Sequence, residues 1–284
     1  MTSMTGARTI GLALVRPTEI MSAEPFYHEF IAGIERAVRP DGYSVLVNVL
    51  ATREAEIETY ERWARDSEVR GVLIMDIVLD DGRPAFLEKL GLPSVVVGPP
   101  AAATGDRAVW TNDDVAMQDA VEYLSALGHR RLAHVTGPSS LLHTRIRNEA
   151  FVQTCEALGV THDTISGDYS RESGARAMDR LLQSEDPPSA AIMDSDVMAL
   201  GALDSARERG VPVPERLSIV AWDDSAQCQL SEPPLSAVSH DVQLIGMLAG
   251  QELLAEIRGE AEGGPVSAPV SIVSRASTAR PPAL

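Results

Sequence analysis

The stretch SAAIMDSDVMALGALDSARERGVPVPERLSIVAWDDS, residues 189–225, predicts a strand, a helix and a second strand in one continuous run. Its short apolar segments at 189–194 and 216–222 are typical of buried strands. Between them, residues 195–210 have helical spacing, with Ser195 as the N-cap and a glycine at the end of the last turn. A helix that joins two buried strands in this way predicts a βαβ unit, and therefore a parallel sheet.

The same alternation extends outward over most of the chain. Further strands are predicted at 9–15, 43–49, 71–77, 93–98 and 131–137, with β pairing in the tail at 265–278. Further helices are predicted at 26–39, 54–66, 83–90, 114–127, 143–158, 171–184 and 242–259. Roughly nine or ten strands are more than the five or six that one doubly wound sheet usually takes. The sequence therefore predicts an α/β protein with two doubly wound, Rossmann-like parallel sheets, each covered by helices on both faces.

Composition and charge exclude several classes of protein. The chain has 284 residues, 44% of them hydrophobic, and a formal net charge of −17, with Lys89 as its only lysine. A free-standing nucleic-acid binder needs a basic surface, so this chain is not itself predicted to bind DNA. It has no apolar window long enough for a membrane span, and its first ten residues lack the pattern of a signal peptide. Unless an export signal precedes it, we expect a cytoplasmic protein without a membrane partner.

Motifs for catalysis, metal binding or cofactor binding are absent from the sequence. No two of the six histidines have ligand spacing on one helical face. Cys155 and Cys228 are the only cysteines, and lone cysteines are most often small core residues. We therefore predict a non-enzyme with no catalytic residue, no metal and no cofactor. An enzyme on the same scaffold, using Asp223 and His143, is the minor alternative.

Carboxylates follow several of the predicted strands. Asp223 and Asp224 come directly after the strand at 216–222. Asp76, Asp194 to Asp196 and the polar segment Arg16 to Thr18 have comparable positions. In open α/β sheets, ligands bind outside the carboxyl ends of the strands. A carboxylate there can accept hydrogen bonds from two vicinal hydroxyls, as sugar recognition requires. The alternatives are a helix N-cap, a Mg²⁺ site or a phosphorylation site. A receiver-type phosphorylation site would have a lysine downstream, and no lysine follows Asp223.

Five motifs, spread over nearly the whole chain, point to one protein family. They are PFYHEFIAGIERAVRPDGYSVLV (25–47), YLSALGHRRLAHVTGP (123–138), SDVMALGALDSARERGVPVPERLSIVAWDDS (195–225), EPPLSAVSHDVQLIG (232–246) and VSRAST (273–278). In this combination they resemble the effector-binding core of the lactose-repressor-like (LacI/GalR) transcription regulators. Each motif alone would be a weak signal, and the combination is specific.

The resemblance implies a periplasmic-binding-protein-like fold of type I, whose two subdomains close around a small metabolite, often a sugar, in the cleft between them. The N-terminal subdomain would hold residues 8–129 and 240–260, and the C-terminal subdomain 130–239 and 261–284. In this family a helix-turn-helix headpiece precedes the core and contacts operator DNA. Because the core motifs begin near residue 8, we expect this chain to lack the headpiece. Contact with operator DNA would then be made only through a headpiece that is missing here.

The resemblance also implies ligand contacts. Arg147 matches the family arginine that donates to ligand hydroxyls or a carboxylate. Asp223 matches the aspartate that accepts from hydroxyls, and Asp224 is expected to be structural. Tyr169 matches an aromatic residue that stacks on the ligand, and Ser195 stands where the family usually has a ligand-contacting asparagine. The predicted ligand-binding residues are Arg147, Asp223, Tyr169, Phe26, Tyr27, His143, Ser195 and Thr18.

The function that the resemblance implies is the ligand-sensing and dimerisation core of a transcription regulator. Effector binding would change the arrangement of the subdomains and so control DNA binding allosterically. The alternative is the sugar-binding protein of an ABC importer, which shares the architecture. A homodimer is expected, and the helix at 54–66 is a candidate interface unless Ile57, Tyr60 and Trp63 pack on the sheet instead.

Overall fold

The computed structural model describes residues 8–17, 21, 24–104, 107–260 and 264–282. It contains two compact units, each built from two segments of the chain. The first unit comprises Met1–Thr111 and Asp241–Pro269, and the second comprises Asn112–His240 and Val270–Leu284. Each unit has its own six-stranded sheet flanked by helices, which confirms the predicted fold class.

The described residues form twelve strands, nine α-helices and two short 3-10 helices. The strands are β1 (Thr9–Val15), β2 (Ser44–Leu50), β3 (Val72–Ile74), β4 (Ser94–Val97), β5 (Ala108–Trp110), β6 (Arg131–Thr136), β7 (Thr161–Ser166), β8 (Ala190–Met193), β9 (Ser218–Trp222), β10 (Ser236–His240), β11 (Val266–Ser267) and β12 (Val270–Val273). The helices are α1 (Pro25–Val38), α2 (Arg53–Arg65), α3 (Arg83–Leu90), α4 (Asp113–Leu127), α5 (Leu142–Leu158), α6 (Arg171–Leu182), α7 (Asp196–Glu208), α8 (Ala226–Leu230) and α9 (Val242–Arg258). The 3-10 helices are Arg39–Asp41 and Pro100–Ala102.

The two sheets share one strand order. The first runs β2-β1-β3-β4-β5-β11, and the second runs β7-β6-β8-β9-β10-β12. Every neighbouring pair is parallel except β10 and β12. The order reverses between β1 and β3 in the first sheet and between β6 and β8 in the second. Ligands of doubly wound sheets bind at the carboxyl ends of the strands at this reversal, so these two places are where a site is expected.

Some elements differ from the sequence prediction. The strands β5, β7 and β10 and the helix α8 were not predicted. The edge strand β7 has only one large apolar residue, Ile165, and its outer positions are exposed, so the apolar pattern is missing. The helix α4 lies in the second unit, whereas the predicted subdomain boundary at residue 129 had placed it in the first. It belongs there because its Met117, Val121 and Leu124 are part of the second unit's core.

The apolar side chains of α2 pack inside the first unit. Tyr60 and Trp63 are completely buried, and the Trp63 ring lies against Gly11 in the middle of β1. A β-carbon at Gly11 would stand 2.5 Å from that ring, so only glycine lets the indole approach the sheet so closely. The apolar stripe of this helix therefore packs on the sheet, which was the alternative to a dimer interface.

Glycines allow two pairs of helices to cross at very close range. In the first unit, β-carbons at Gly33 of α1 and Gly246 of α9 would each stand 2.1 Å from a carbonyl oxygen of the other helix. In the second unit, β-carbons at Gly174 of α6 and Gly201 of α7 would stand 2.1 and 1.9 Å from such oxygens. Distances this short require the helices to move apart if any side chain is added.

We therefore expect Gly246→Ala to lower the free energy of unfolding by about 1–3 kcal/mol, because the methyl group would meet the Phe30 carbonyl. Urea denaturation followed by circular dichroism measures this. The matched control is Gly82→Ala, at a position with φ −78° and no atom within 4 Å of the added carbon. That variant is expected to be neutral or slightly more stable. Equal stability of the two variants would contradict the close helix crossing.

Candidate ligand-binding site

At the strand-order reversal of the second unit, Asp194 follows β8 and is completely buried. It accepts hydrogen bonds from the backbone N–H of Gly137, just after β6, at 2.9 Å, and pairs with His134 Nε2 at 2.9 Å. Burial acts to raise the pKa of Asp194, but His134, Arg147 and the Gly137 N–H outweigh it, so its pKa lies below the ordinary value. The carboxylate therefore joins the ends of β6 and β8 and stays charged.

Arg147 of α5 lies over this carboxylate. Its Nε donates to Asp113 Oδ1 at 2.7 Å, and its Nη1 donates to the backbone carbonyl of Asp194 at 3.3 Å. The guanidinium carbon stands 4.0 Å from the centroid of the Trp222 ring, which is a cation–π distance. Burial acts to lower the pKa of Arg147, but Asp113 and Asp194 raise it above the ordinary value. Within the described part of the chain, Nη2 makes no hydrogen bond, so one donor group of a fixed arginine is available.

Asp223 follows β9 and differs from its neighbour Asp224. Its φ of 70° is in the left-handed region, its backbone N–H donates to the Val238 carbonyl at 3.0 Å, and its Oδ1 lies 3.4 Å from Nδ1 of His240. Asp224 instead accepts a hydrogen bond from Arg275 Nη2 at 2.7 Å. The first carboxylate is therefore part of the strand-end cluster, and the second ties β9 to the C-terminal segment.

His143 and Tyr169 form a second polar contact of the same unit. His143 Nε2 lies 2.8 Å from the Tyr169 hydroxyl, which is also 3.1 Å from the hydroxyl of Thr144. Tyr169 has φ 69° and is only 3% exposed. Gly137 makes this possible, because a β-carbon there would stand 2.2 Å from the tyrosine hydroxyl. Bulky residues seldom adopt a positive φ, and such strain is concentrated at functional sites.

Several buried polar atoms beside this cluster have no hydrogen-bond partner within the described residues. They are Trp222 Nε1, Asp196 Oδ2, Asp224 Oδ1, and both ring nitrogens of His240. Buried polar atoms in native proteins are almost always hydrogen-bonded to protein, water or ligand. Their concentration at the ends of β8, β9 and β10 therefore marks a place where a polar ligand or water completes the structure.

The first unit has its own polar group at the reversal of its strand order. Arg16, after β1, donates from Nε and Nη2 to the carboxylate of Asp76, after β3, at 3.1 and 2.9 Å. The Tyr27 hydroxyl accepts from Arg16 Nε at 2.8 Å and donates to Asp76 at 3.2 Å. Burial, and then the charge of Asp76, raise the pKa of Tyr27 well above its ordinary value, so it remains a neutral hydrogen-bonding group.

No group of three or more histidine, cysteine, aspartate or glutamate side chains within the described residues could hold a metal ion. Both cysteines are free and buried, as predicted for core residues. None of the described helices is long and apolar enough to cross a membrane.

Comparison with known proteins gives this arrangement a family. A model of the periplasmic binding protein-like domain matches residues 121–278. The HTH-type transcriptional repressor CytR of Escherichia coli (strain K12) is 32% identical over 244 residues, which are 84% of this chain and 71% of the repressor. The chain belongs to the LacI/GalR family of transcription regulators.

Solved structures of LacI/GalR regulators are similar over almost the whole chain. A LacI family transcriptional regulator from Bifidobacterium animalis subsp. lactis DSM 10140 has a TM-score of 0.89 and 32% identity, covering 97% of this chain and 99% of that one. The transcriptional regulator CelR–cellobiose complex has a TM-score of 0.86 and 27% identity, covering 96% and 86%. The family predicted from the five motifs is confirmed, and the matched relatives are regulators rather than enzymes.

The predicted contact residues of this LacI/GalR chain fall into four groups. Arg147 and Asp223 lie in one cluster around Trp222, and His143 and Tyr169 contact each other. Ser195 accepts a hydrogen bond from the Met198 N–H at 3.1 Å and caps α7. In the first unit, Phe26 stacks on Phe30 and Tyr27 joins Arg16 and Asp76. Thr18 lies outside the described residues. Their roles in ligand binding stay predictions.

Three residues of the cluster were not predicted as part of it. Asp113, the partner of Arg147, follows Asn112, in the reverse order of the Asp-Asn pair that the family usually has before this helix. Trp222 stands before the two aspartates, where the family more commonly has a tyrosine or phenylalanine. His134 gave no signal beyond its place in a strand, because its partner Asp194 lies 60 residues away along the chain.

Asp196, the first residue of α7, gives the cluster a pH dependence. Burial, and then the charge of Asp223, raise its pKa to about 6 against a hydrogen bond from Ser225. Because this folded-state pKa exceeds the unfolded value of 3.8, the folded protein binds more protons between the two values. Stability from this group is therefore complete at acid pH and is lost as the pH rises through about 6.

Replacing Asp196 by asparagine is expected to raise the free energy of unfolding by about 2 kcal/mol near neutral pH. The gap between variant and wild type should close as the pH falls toward 3.8. Denaturant titrations at a series of pH values measure it. A constant gap across that range would show that the asparagine acts through packing and not through the charge of Asp196.

Proposed function

We propose that this chain is the effector-sensing core of a transcription regulator and that it binds a small polyhydroxylated metabolite, most simply a sugar. The observation that carries the proposal is the fixed guanidinium of Arg147. It is held by Asp113 and stacked over Trp222, yet its Nη2 makes no hydrogen bond to a described residue. A donor that is already immobilised loses little entropy when it binds a ligand.

The neighbouring groups supply what a hydroxylated ligand needs. Asp223 can accept hydrogen bonds from hydroxyls, and Trp222 Nε1 is a buried donor without a partner in the described chain. A few polar groups that converge next to aromatic surface are typical of small-molecule sites. The similar structure of CelR contains cellobiose, which supports a sugar as the ligand of this chain.

The remaining features of the regulator are part of the same proposal. Ligand binding shifts the population of two conformations and so alters operator binding through a helix-turn-helix headpiece. We further propose a homodimer that works in the cytoplasm, since a regulator must reach DNA. The importer reading is less supported, because the relatives at this level of similarity are transcription regulators.

Titration calorimetry with pentoses, hexoses, disaccharides and nucleosides tests the sensing role. We expect a saturable heat with at least one of these classes, and sedimentation of the same sample should give a dimer. Absence of heat from every class, with protein that is folded by circular dichroism, would contradict the proposed function. Strong sugar binding by a monomer would favour the importer reading instead.

A further inference from the structure

Carboxyl groups outnumber basic side chains at the strand ends of the second unit. The cluster around Arg147 contains five of these carboxyls: Asp113 at the start of α4, and Asp194, Asp196, Asp223 and Asp224 after β8 and β9. Against them stand two arginines, Arg147 and Arg275, and two histidines, His134 and His240, which contact Asp194 and Asp223. The arrangement is more acidic than most sites that bind phosphates or carboxylates, which gather arginines around the ligand.

The charges of both arginines are already balanced by acids. Arg147 is 2.7 Å from the Asp113 carboxylate and 3.8 Å from that of Asp194, and Arg275 is 2.7 Å from that of Asp224. Arg147 can therefore donate a hydrogen bond to a ligand, but it has little uncompensated positive charge to offer. An anion placed here would meet the acids as well as the arginine.

The two remaining carboxyls have no arginine or lysine partner in the described part of the chain. Asp223 has His240 as its ion-pair partner, with the two atoms at 3.4 Å, and its charge also interacts with that of Arg147. Asp196 is bonded by the Val197 N–H at 2.7 Å and by Ser225. The charges of Asp196 and Asp223 also act on each other. These two acids add negative charge to a cluster in which three other acids already balance the two arginines.

A second observation shows that a ligand or water is needed here. Asp196 is 4% exposed and its Oδ2 has no partner within the described residues, and the same is true of Nε1 of Trp222, which is 1% exposed. One atom needs a donor and the other needs an acceptor. A hydroxyl group supplies both, and an ammonium group supplies the donor.

Building on the proposed function, we infer that this site selects its effector by charge: it binds neutral or positively charged hydroxylated molecules and rejects those that carry a phosphate or carboxylate. The discrimination comes from like-charge repulsion by Asp196 and Asp223 rather than from shape. An amino sugar can place its ammonium against these acids, so it is expected to bind at least as tightly as the neutral sugar.

Matched series of ligands test the inference. Glucose, galactose and ribose are each compared with the corresponding sugar phosphate, and the two hexoses also with their uronic acid and amino sugar, by calorimetry at low ionic strength. For any series in which the neutral sugar binds, the anionic members should bind on the order of tenfold more weakly or worse. An anionic member that binds as tightly as the neutral sugar would overturn the charge rule while leaving the sensing role intact.

Substitution of one acid tests the cause. Asp196→Asn should reduce the preference for the neutral sugar over its phosphate several-fold, because it removes one of the two unpaired charges. The control Asp204→Asn removes an exposed acid from the same helix, where it is paired with Arg171, and should leave the preference unchanged. If both variants reduced the preference for the neutral sugar equally, the preference would not arise from the charge of Asp196 at the site. Binding of no member of any series, together with no heat from the disaccharides and nucleosides of the wider panel, would refute the sensing role and the charge rule with it.

Discussion

Replacement of Arg83 by methionine is expected to lower the free energy of unfolding by about 3–5 kcal/mol. Arg83, the first residue of α3, is the centre of a buried ionic network in the first unit. Its side chain is 4% exposed, and those of its acidic partners Glu56 and Asp81 are 0% and 4% exposed. Removal of the arginine would leave the buried Asp81 without a cation, and Glu56 would keep only its ion pair with the partly exposed Arg53.

The geometry explains why this cost should be large. Arg83 Nη1 donates to Glu56 at 2.8 Å and Nη2 donates to Asp81 at 2.6 Å. Nη2 also reaches the backbone carbonyls of Met75 and Asp76, at 2.8 and 3.0 Å. The arginine therefore joins the two acids and fixes the loop after β3, where Asp76 contacts Arg16.

Low pH should reduce the loss of stability caused by Arg83→Met. Burial acts to raise the pKa of Asp81, but the hydrogen bonds and charge of Arg83 lower it below its usual range. A lowered pKa stabilises the folded state above the unfolded value of 3.8, and this contribution is lost as the pH falls through the folded value. The difference between wild type and Arg83→Met should therefore be largest near neutral pH and should narrow on acidification.

Urea titrations of Arg83→Met at neutral and acid pH measure both effects. The control is Arg65→Met, since Arg65 is 68% exposed and its ion pair with Asp66 lies on the surface. Exposed pairs contribute about 0–1 kcal/mol, so the control should be almost as stable as the wild type. If Arg83→Met were no less stable than this control, the network would not hold the first unit together.

The sequence was sufficient to predict the fold class because the information is local. The βαβ unit at 189–225, its N-cap Ser195 and the position of Asp223 all follow from residues close together in the chain. The edge strand β7 was not predicted from the local sequence, because it has exposed polar positions in place of an apolar run. The placement of α4 also failed, because the contacts that assign it to the second unit are made with α5 and β12.

The site was predictable only in part, because its main contacts join distant residues. Arg147 and Asp223 were predicted from matched motifs. The partners that fix them were not: Asp113 is 34 residues from Arg147, and Asp194 is 60 residues from His134. The charge balance of the cluster depends on these pairings. A sequence pattern can therefore name an arginine as a ligand donor without showing that its charge is already compensated.

Arg147→Lys is expected to weaken effector binding by about a hundredfold while changing stability much less. A lysine keeps a positive charge near Asp113 and Asp194, both of which are buried, so neither acid loses its cation. It cannot reproduce the planar contact with Trp222 or the separate donors at Nε, Nη1 and Nη2. The variant therefore separates the geometry of the guanidinium from its charge.

The measurement uses the sugar that gives the strongest calorimetric response with the wild type, together with a thermal melt of each protein. Arg145→Lys is the matched control, because Arg145 is an exposed residue of the same helix, two positions earlier. Wild-type affinity in Arg147→Lys would mean that charge alone recruits the ligand, and the fixed donor would lose its role. Loss of binding together with a collapse in melting temperature would instead show that Arg147 serves folding first, because its three acceptor contacts all lie within one unit.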